Sequence, residues 1–330
     1  MNELKKIANM LVSDGKGILA ADESTPTCTK RFESLGLKST ELTRNEYRSL
    51  LFSTNNIEKY ISGVILYHET FYQKIINTNT PVPEFLEKKN ILAGIKVDTG
   101  AKDLAGFEQE KITEGLDDLR LRLKDYKSNG AKFAKWRAVI KIGKNIPTKA
   151  CIAANSHALA RYAALCQESG IVPIVEPEIL MDGNHNIHKC YEITENVLKN
   201  VFTELDFFNI DLEGMILKPN MILPGEKSGE IVSNEKIAEL TFRCLKNNVP
   251  HKVPGIAFLS GGQKSDDAAI RLNLINKKHS NKPWKLSFSY GRALQKDALI
   301  NYSLNNEEKV KKALIKRAKL NHLATLGKLE

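Results

Sequence analysis

Three lysines in this sequence of 330 residues stand at or near the ends of short apolar segments: Lys96, Lys135 and Lys218. A neutral lysine amine can attack a ketone or an aldehyde and form an imine, and nearby cations or loss of hydration favour the neutral form. Lys218 suits this role best, because it follows the apolar residues 215–217 and precedes Pro219, which favours extended backbone. Lys135 could supply the neighbouring cation. The pattern predicts Schiff-base chemistry at Lys218.

Acidic residues at the ends of other apolar segments could move the protons that imine formation requires. Glu176 and Glu178 end one such segment, and Asp22 ends the first segment of the chain. Residues two apart on a strand lie on one face, so the two glutamates should lie together, as should Lys135 and Arg137. Several charges in one site are typical of active sites, although an ion network that only stabilises the fold could use the same residues.

Glycines follow the seventh of these segments and precede an arginine in the eighth. Gly261 and Gly262 come directly after Ser260, and Gly291 comes before Arg292. Backbone amides in glycine turns, together with a guanidinium, form a common binding site for phosphate. The pattern therefore predicts a phosphorylated substrate.

The elements that must position these residues are eight short apolar segments separated by helical patterns. The segments span residues 17–22, 63–68, 91–98, 133–137, 171–178, 215–218, 255–260 and 286–292. One helix is predicted to begin after an N-cap at Ser156 and to stop at Gly170, and another to begin at Ser265. Eight alternating units without a linker-like break predict an α/β fold, a single (β/α)8 TIM barrel over residues 1–330. Apolar spacing predicts a C-terminal helical segment at about 305–327. The strand ends of such a barrel meet at one mouth, where its chemistry lies.

Composition narrows the class of protein. The 49 Lys and Arg residues exceed the 39 Asp and Glu residues, which gives a net charge of +10 and suits an anionic substrate. The five cysteines are scattered without a Cys-x-x-Cys pair, so we expect reduced thiols and a cytoplasmic location. No apolar run approaches the roughly 20 residues that span a bilayer, and no nucleic-acid-binding motif is present. We therefore expect no membrane or nucleic-acid partner.

Seven motifs, in this order, resemble those of the class I fructose-1,6-bisphosphate aldolases of the eukaryotic type. They are LAADES at 19–24, GIKVD at 94–98, FAKWR at 133–137, IVEPEIL at 174–180, LKPNM at 217–221, FLSGGQ at 258–263 and FSYGRALQ at 288–295. The resemblance implies a carbon–carbon lyase of glycolysis and gluconeogenesis. Its reaction would be the reversible cleavage of fructose 1,6-bisphosphate to dihydroxyacetone phosphate and glyceraldehyde 3-phosphate. It also implies a homotetramer that uses no cofactor and no metal, because the iminium is the electrophile.

The resemblance implies catalytic roles for five residues. Lys218 would form the Schiff base with the substrate ketone, and Lys135 would lie beside the imine. Glu176 would act as acid and base in carbinolamine formation and dehydration, with Glu178 supporting it. Asp22 would accept the proton of the C4 hydroxyl as the C3–C4 bond breaks.

Further residues would bind the substrate. Lys96 and Ser24 would hold the phosphate of the aldehyde half, Arg44 would contact the substrate, and Arg137 is grouped with these residues because it shares a face with Lys135. The phosphate of the ketone half would be bound by Ser260, Gly261, Gly291 and Arg292.

Three alternatives stay open at this point. The enzyme could prefer fructose 1-phosphate, could be another Schiff-base lyase such as a transaldolase, or could have an additional binding or scaffold role. Members of the family commonly use a C-terminal tyrosine to protonate the enamine, whereas the last tyrosine here is Tyr302. The sequence therefore does not identify that proton donor.

Overall fold

A computed structural model describes residues 3–330 and contains a closed barrel of eight parallel strands. The barrel order is β1-β10-β9-β8-β7-β6-β3-β2, so chain neighbours are also barrel neighbours. The ten strands are β1 Gly17–Ala21, β2 Ile61–Leu66, β3 Leu92–Lys96, β4 Gly100–Asp103, β5 Lys111–Glu114, β6 Phe133–Ile140, β7 Val172–Ile179, β8 Ile216–Leu217, β9 Gly255–Phe258 and β10 Lys285–Tyr290. The predicted (β/α)8 fold and all eight predicted barrel segments are confirmed, with ends shifted by a few residues.

Helices cover the barrel, α1 at the end opposite the mouth and most of the others along the outer faces of the strands. They are α1 Glu3–Leu11, α2 Thr25–Glu33, α3 Glu41–Ser53, α4 His68–Tyr72, α5 Val82–Lys88, α6 Leu119–Ser128, α7 Lys149–Glu168, α8 Ile187–Phe207, α9 Asn234–Asn248, α10 Ser265–Lys278, α11 Arg292–Ser303 and α12 Glu307–Thr325. Two short 3₁₀ helices span Ile57–Lys59 and Leu212–Gly214. None of the helices within residues 3–330 is both long and apolar enough to cross a membrane.

The start predicted for one helix was wrong. Helix α7 begins at Lys149, and the side chain of Thr148 accepts a hydrogen bond from the Cys151 amide as its N-cap. Ser156 is the eighth residue of α7 and is buried within the helix. The predicted stop is correct, since α7 ends just before Gly170, whose φ of +67° suits glycine.

Strands β4 and β5 form an antiparallel hairpin outside the barrel, which the sequence analysis did not predict. The hairpin follows β3, and its strands are mostly exposed and polar. Residues Thr99, Gly100 and Ala101 place the start of this hairpin beside the barrel mouth.

Apolar packing fills the barrel interior and closes the end opposite the mouth. The side chains of Leu4, Ile7 and Leu11 on α1 are buried in a cluster with Ile18 and Phe133 from the barrel. Close packing between β1 and β10 requires a glycine at position 17, because a Cβ there would lie 2.6 Å from the Phe288 ring. The closed end leaves the polar mouth as the accessible end of the barrel.

Candidate active site

A cavity of about 510 Å³ opens at the carboxyl ends of the barrel strands. Its lining contains twelve of the thirteen residues predicted to act in catalysis or binding. These are Asp22, Ser24, Lys96, Lys135, Arg137, Glu176, Glu178, Lys218, Ser260, Gly261, Gly291 and Arg292. The structure therefore brings residues from seven barrel strands and the segments that follow them into one site.

The strand register explains why the charged side chains meet. Lys96 at the end of β3 lies opposite Lys135 on β6, and Arg137 lies opposite Glu176 on β7. The Lys218 amide continues the sheet by donating to the Val175 carbonyl at 2.8 Å. Alternate side chains on these strands point toward the mouth, so charged residues two positions apart meet there.

Lys218 and Lys135 share the carboxylate of Glu176. The Nζ of Lys218 lies 3.1 Å from Oε1 of Glu176, and the Nζ of Lys135 lies 3.5 Å from Oε2. All three side chains are at least 95% buried. Oε2 of Glu176 has no hydrogen-bond partner within the described structure. A buried carboxylate that contacts an amine and has one oxygen without a hydrogen bond is suited to proton transfer.

Lys135 also pairs with Asp22, and this pair shifts both pKa values. Their Nζ and Oδ2 atoms lie 2.8 Å apart. Burial alone would raise the pKa of Asp22, but Lys135, Lys218 and Lys96 outweigh it and lower this pKa to about 2. Burial alone would lower the pKa of Lys135, but Asp22, Glu176 and Asp98 outweigh it and raise that pKa. Asp22 is therefore an anion, and Lys135 a cation, at neutral pH.

Asp98 contacts both Lys96 and Arg137. Its Oδ1 lies 2.6 Å from Nζ of Lys96, while its Oδ2 accepts a hydrogen bond from the Arg137 amide at 3.3 Å. The Arg137 guanidinium in turn donates to Glu178. Asp98 is missing from the predicted set of site residues, although its position two residues after Lys96 indicated that it would share the same face.

The glycine turn predicted to bind phosphate contains two residues in the left-handed backbone conformation. Gly261 has a φ of +53° and Gly262 a φ of +86°, a backbone form that glycine adopts at little cost. Consecutive residues of this kind form concave backbone sites for anions. Arg292 borders the same turn, because a Cβ on Gly262 would lie 3.6 Å from its Nη2 atom.

Arg44 is the one predicted residue that the structure does not bring to the cavity. Its side chain lies between α3 and α4, where Nε and Nη2 donate to the two carboxylate oxygens of Glu69 at 2.9 and 2.5 Å. The cavity is instead lined by Arg31 on α2. Ser24, Thr27 and Arg31 are spaced by three and four residues, which places them on one helical face, and this spacing could have identified Arg31.

Two further observations concern possible metal ligands and the cysteine side chains. No group of three or more His, Cys, Asp or Glu residues in the described part of the chain could hold a metal ion. All five cysteines are buried free thiols.

Known proteins of one family match this chain over nearly its whole length. The family model described as "Glycolytic: Fructose-bisphosphate aldolase class-I" matches residues 3–330. The chain is 50% identical to a "Probable fructose-bisphosphate aldolase class 1" of Xanthomonas axonopodis pv. citri, over 99% of this chain and 98% of that one. It is 49% identical to "Fructose-bisphosphate aldolase 4, cytosolic" of Arabidopsis thaliana, over 98% of this chain and 83% of that one. A solved structure of fructose-bisphosphate aldolase from Plasmodium falciparum, in complex with TRAP and a small-molecule inhibitor, is 45% identical with a TM-score of 0.97, covering 99% of this chain and 95% of that one.

Proposed function

Because the chain belongs to the class I fructose-bisphosphate aldolase family, we propose that it acts as a carbon–carbon lyase through a Schiff base on Lys218. The reaction cleaves fructose 1,6-bisphosphate into dihydroxyacetone phosphate and glyceraldehyde 3-phosphate and runs in both directions. The observation that carries the assignment is the 3.1 Å contact between Nζ of Lys218 and Oε1 of Glu176 inside the mouth.

The first step joins the enzyme to the substrate. Lys218 gives one proton to Glu176, and its neutral amine attacks C2 of the ketose. A second proton then moves from the nitrogen to the former carbonyl oxygen, which becomes the hydroxyl of a carbinolamine. Glu176 then returns a proton to this hydroxyl, which leaves as water and produces the iminium. Lys135 lies 3.5 Å from Glu176, so its positive charge stabilises the carboxylate between proton transfers.

The second step breaks the C3–C4 bond. Asp22 accepts the proton of the C4 hydroxyl, the C4 oxygen forms a carbonyl, and the electron pair of the C3–C4 bond moves into the iminium to give an enamine. The glyceraldehyde 3-phosphate half leaves first. Protonation of the enamine at C3 and addition of water at C2 then release dihydroxyacetone phosphate and regenerate the Lys218 amine. The iminium supplies the electrophile, so a metal ion has no step to perform.

Two groups of residues flank Lys218 and suit the two phosphates of the substrate. The Gly261–Gly262 turn, with Ser260, Gly291 and Arg292, binds the phosphate of the ketone half. The phosphate of the aldehyde half would be bound by Lys96 and Ser24, which line the same cavity as the paired Arg137 and Glu178. Arg31 adds a further guanidinium to the mouth.

We also propose a cytoplasmic location and a homotetrameric assembly. A cytoplasmic location is supported by the name of the Arabidopsis relative and by the five free thiols. A homotetramer is supported by large apolar side chains on the outer helices, since Leu121 on α6 is 67% exposed and Phe207 on α8 is 76% exposed.

Borohydride trapping tests the assignment directly. Dihydroxyacetone phosphate and borohydride are expected to leave a reduced adduct on Lys218, located by peptide mass spectrometry. The Lys218→Met variant should take up no label, whereas the matched Lys96→Met variant, which removes another mouth lysine, should still be labelled at Lys218. Equal labelling of the wild-type enzyme and Lys218→Met would overturn the proposal.

A further inference from the structure

The end of the barrel opposite the mouth has two neighbouring cavities that the proposed reaction does not use. One has a volume of about 350 Å³ and the other a volume of about 520 Å³. Both are lined by His251, Ser280, Lys282 and Pro283. Because they share these residues, the two cavities form one groove, which we call the basal groove.

Two loops form most of the basal groove and are held together by aromatic side chains. The first loop, residues 249–254, lies between α9 and β9, and the second, residues 279–284, lies between α10 and β10. The Trp284 indole is 1% exposed and donates to the Pro250 carbonyl at 3.0 Å, which joins the loops. The His279 ring stacks on Phe242 of α9, with the ring centroids 3.6 Å apart. Contacts within the protein therefore fix the spacing of the two walls.

Lysines dominate the charge of the basal groove. Six line it: Lys5, Lys246, Lys252, Lys278, Lys282 and Lys285. Two of them have carboxylate partners, since Lys5 lies 2.5 Å from Glu213 and Lys285 lies 2.7 Å from Asp14. The other four form no ion pair with any residue in the described range 3–330. The groove therefore has a net positive charge that the protein itself does not neutralise.

Stabilisation of helix ends explains only part of this charge. Lys246 and Lys278 lie in the last turns of α9 and α10, where a cation interacts favourably with the free helix carbonyls. Lys252 and Lys282 lie beyond these helices, in the two loops. Their charges need another explanation.

The lysines of the groove also act on one another. Burial and the charge of Lys285 lower the pKa of Lys282, whose amine donates to the His279 carbonyl at 2.9 Å. Burial and the charges of Lys278, Lys282 and Lys246 lower the pKa of His279. Cations from both helices and from the second loop therefore converge on the groove. Like charges held this close repel, and an anion bound between them removes the repulsion.

The arrangement of the four unpaired lysines indicates the kind of anion. Lys252 lines the smaller cavity, Lys246 and Lys278 line the larger one, and Lys282 lines both. A single phosphate is much smaller than either cavity, whereas linked phosphates can extend from one cavity into the other past Lys282. Ammonium groups bind phosphate oxygens through charge-assisted hydrogen bonds.

We propose that the basal groove is a second anion site, which binds a small molecule with two or more phosphate groups through Lys252, Lys278 and Lys282. It lies at the opposite end of the barrel from Lys218, so its ligand does not compete with the substrate. The inference does not depend on the proposed function, because none of these lysines lines the mouth.

The test uses inorganic tripolyphosphate as the probe and lysine acetylation as the measurement. Acetylation of the wild-type protein with and without the probe is followed at each lysine by peptide mass spectrometry. With the probe at about ten times its Kd, we expect Lys252, Lys278 and Lys282 to react about tenfold more slowly, because the free site is then about one part in eleven. Lys102 and Lys296, which are exposed elsewhere on the described surface, should keep their rates.

Reversal of two exposed charges tests the site by mutation. In the double variant Lys252→Glu, Lys278→Glu, the protection of Lys282 by the same probe concentration should be lost. The double variant Lys102→Glu, Lys296→Glu has the same net charge and should keep that protection. Lys252→Gln changes only a loop residue, so it tests the site without altering α10. It should reduce the protection of Lys282 by about twofold or more, as expected for loss of one charged contact.

Several results would overturn the proposal. The first is full reactivity of Lys252 and Lys282 in the presence of tripolyphosphate. Equal protection of Lys102 and Lys296 would show general screening of charge and no specific site. Unchanged protection of Lys282 in both Lys252→Gln and Lys252→Glu, Lys278→Glu would place the anion elsewhere. A short single-stranded RNA that protects the same lysines at lower concentration than tripolyphosphate would exclude a small phosphate compound as the ligand.

Discussion

Oε1 of Glu176 lies 3.1 Å from the amine of Lys218, while Oε2 of the same carboxylate faces Lys135 and has no hydrogen bond within the described structure. One carboxyl group therefore reaches both the amine that would attack and a fixed cation. This arrangement allows a proton to pass to Glu176 and back without a large movement of any side chain.

Glu176→Gln removes the proton acceptor while keeping the shape of the side chain. We expect kcat to fall by a factor of about 10² to 10³, because positioned acid–base catalysis typically contributes that much. The rate of borohydride trapping should fall with it, since imine formation needs the same group. Glu69→Gln is the control, because Glu69 lies outside the cavity and contacts Arg44 and Arg48, not Lys218. A trapping rate equal to that of the wild-type enzyme would exclude Glu176 from imine formation.

The pair of Asp22 and Lys135 makes a prediction about acid stability. The pKa of Asp22 is lowered to about 2, because Lys135, Lys218 and Lys96 together outweigh the opposite effect of burial. A carboxyl group with a lowered pKa in the folded state stabilises the fold above its ordinary pKa of 3.8, and that stabilisation is lost as the pH falls toward 2. The difference corresponds to about 2 kcal/mol.

Thermal unfolding of the wild-type enzyme and of Asp22→Asn at several pH values measures this loss of stability at low pH. The wild-type melting temperature should fall steeply between about pH 4 and pH 2, and the variant, which has no group to protonate at this position, should lose less over the same range. The two proteins should keep a constant difference between pH 5 and pH 7. Parallel curves from pH 5 down to pH 2 would contradict the lowered pKa.

Metal removal gives a second test of the chemistry. Since the Lys218 iminium would serve as the electrophile, activity toward fructose 1,6-bisphosphate should be unchanged after dialysis against excess EDTA. A loss that returns with added Zn²⁺ or another divalent ion would show that the reaction takes a different route.

The barrel and most of its mouth could be predicted from sequence because side chains alternate along each strand with a period of two. The barrel strands are mostly apolar, charged residues such as Lys135 and Arg137 occupy alternate positions on one face, and the parallel strands bring these residues together. The β4–β5 hairpin could not be predicted in this way, since its short strands are exposed and carry no apolar alternation. The start of α7 at Lys149 was missed because the polar residues Asn155 and Ser156, which are buried inside the helix, resemble the N-cap of a helix, whereas the N-cap is Thr148.

Apolar side chains on the outer helices predict how the subunits assemble. Leu121 and Phe207 are largely exposed on α6 and α8, which flank α7. We expect size-exclusion chromatography with light scattering to report a tetramer for the wild type and a smaller species for Phe207→Asp. The control is Ile231→Asp, since Ile231 is 99% exposed in a loop that contacts α8 at Ile187, the end of the helix opposite Phe207. A monomeric wild-type protein would contradict the proposed assembly.

Arg44 and Arg31 differ in where the structure places them. Both are arginines on helices that follow β1, and only the spacing of Arg31 from Ser24 indicated which of the two faces the mouth. The structure places Arg44 against Glu69 and Arg31 in the cavity. Arg31→Ala should therefore raise KM for fructose 1,6-bisphosphate about tenfold or more, as expected for loss of a charged hydrogen bond to phosphate. Arg44→Ala should leave KM within about twofold and lower the melting temperature, because it leaves the Glu69 carboxylate without its main partner. Steady-state kinetics and thermal unfolding of the two variants side by side provide the measurement, and a large KM effect in Arg44→Ala alone would restore Arg44 as the substrate-binding residue.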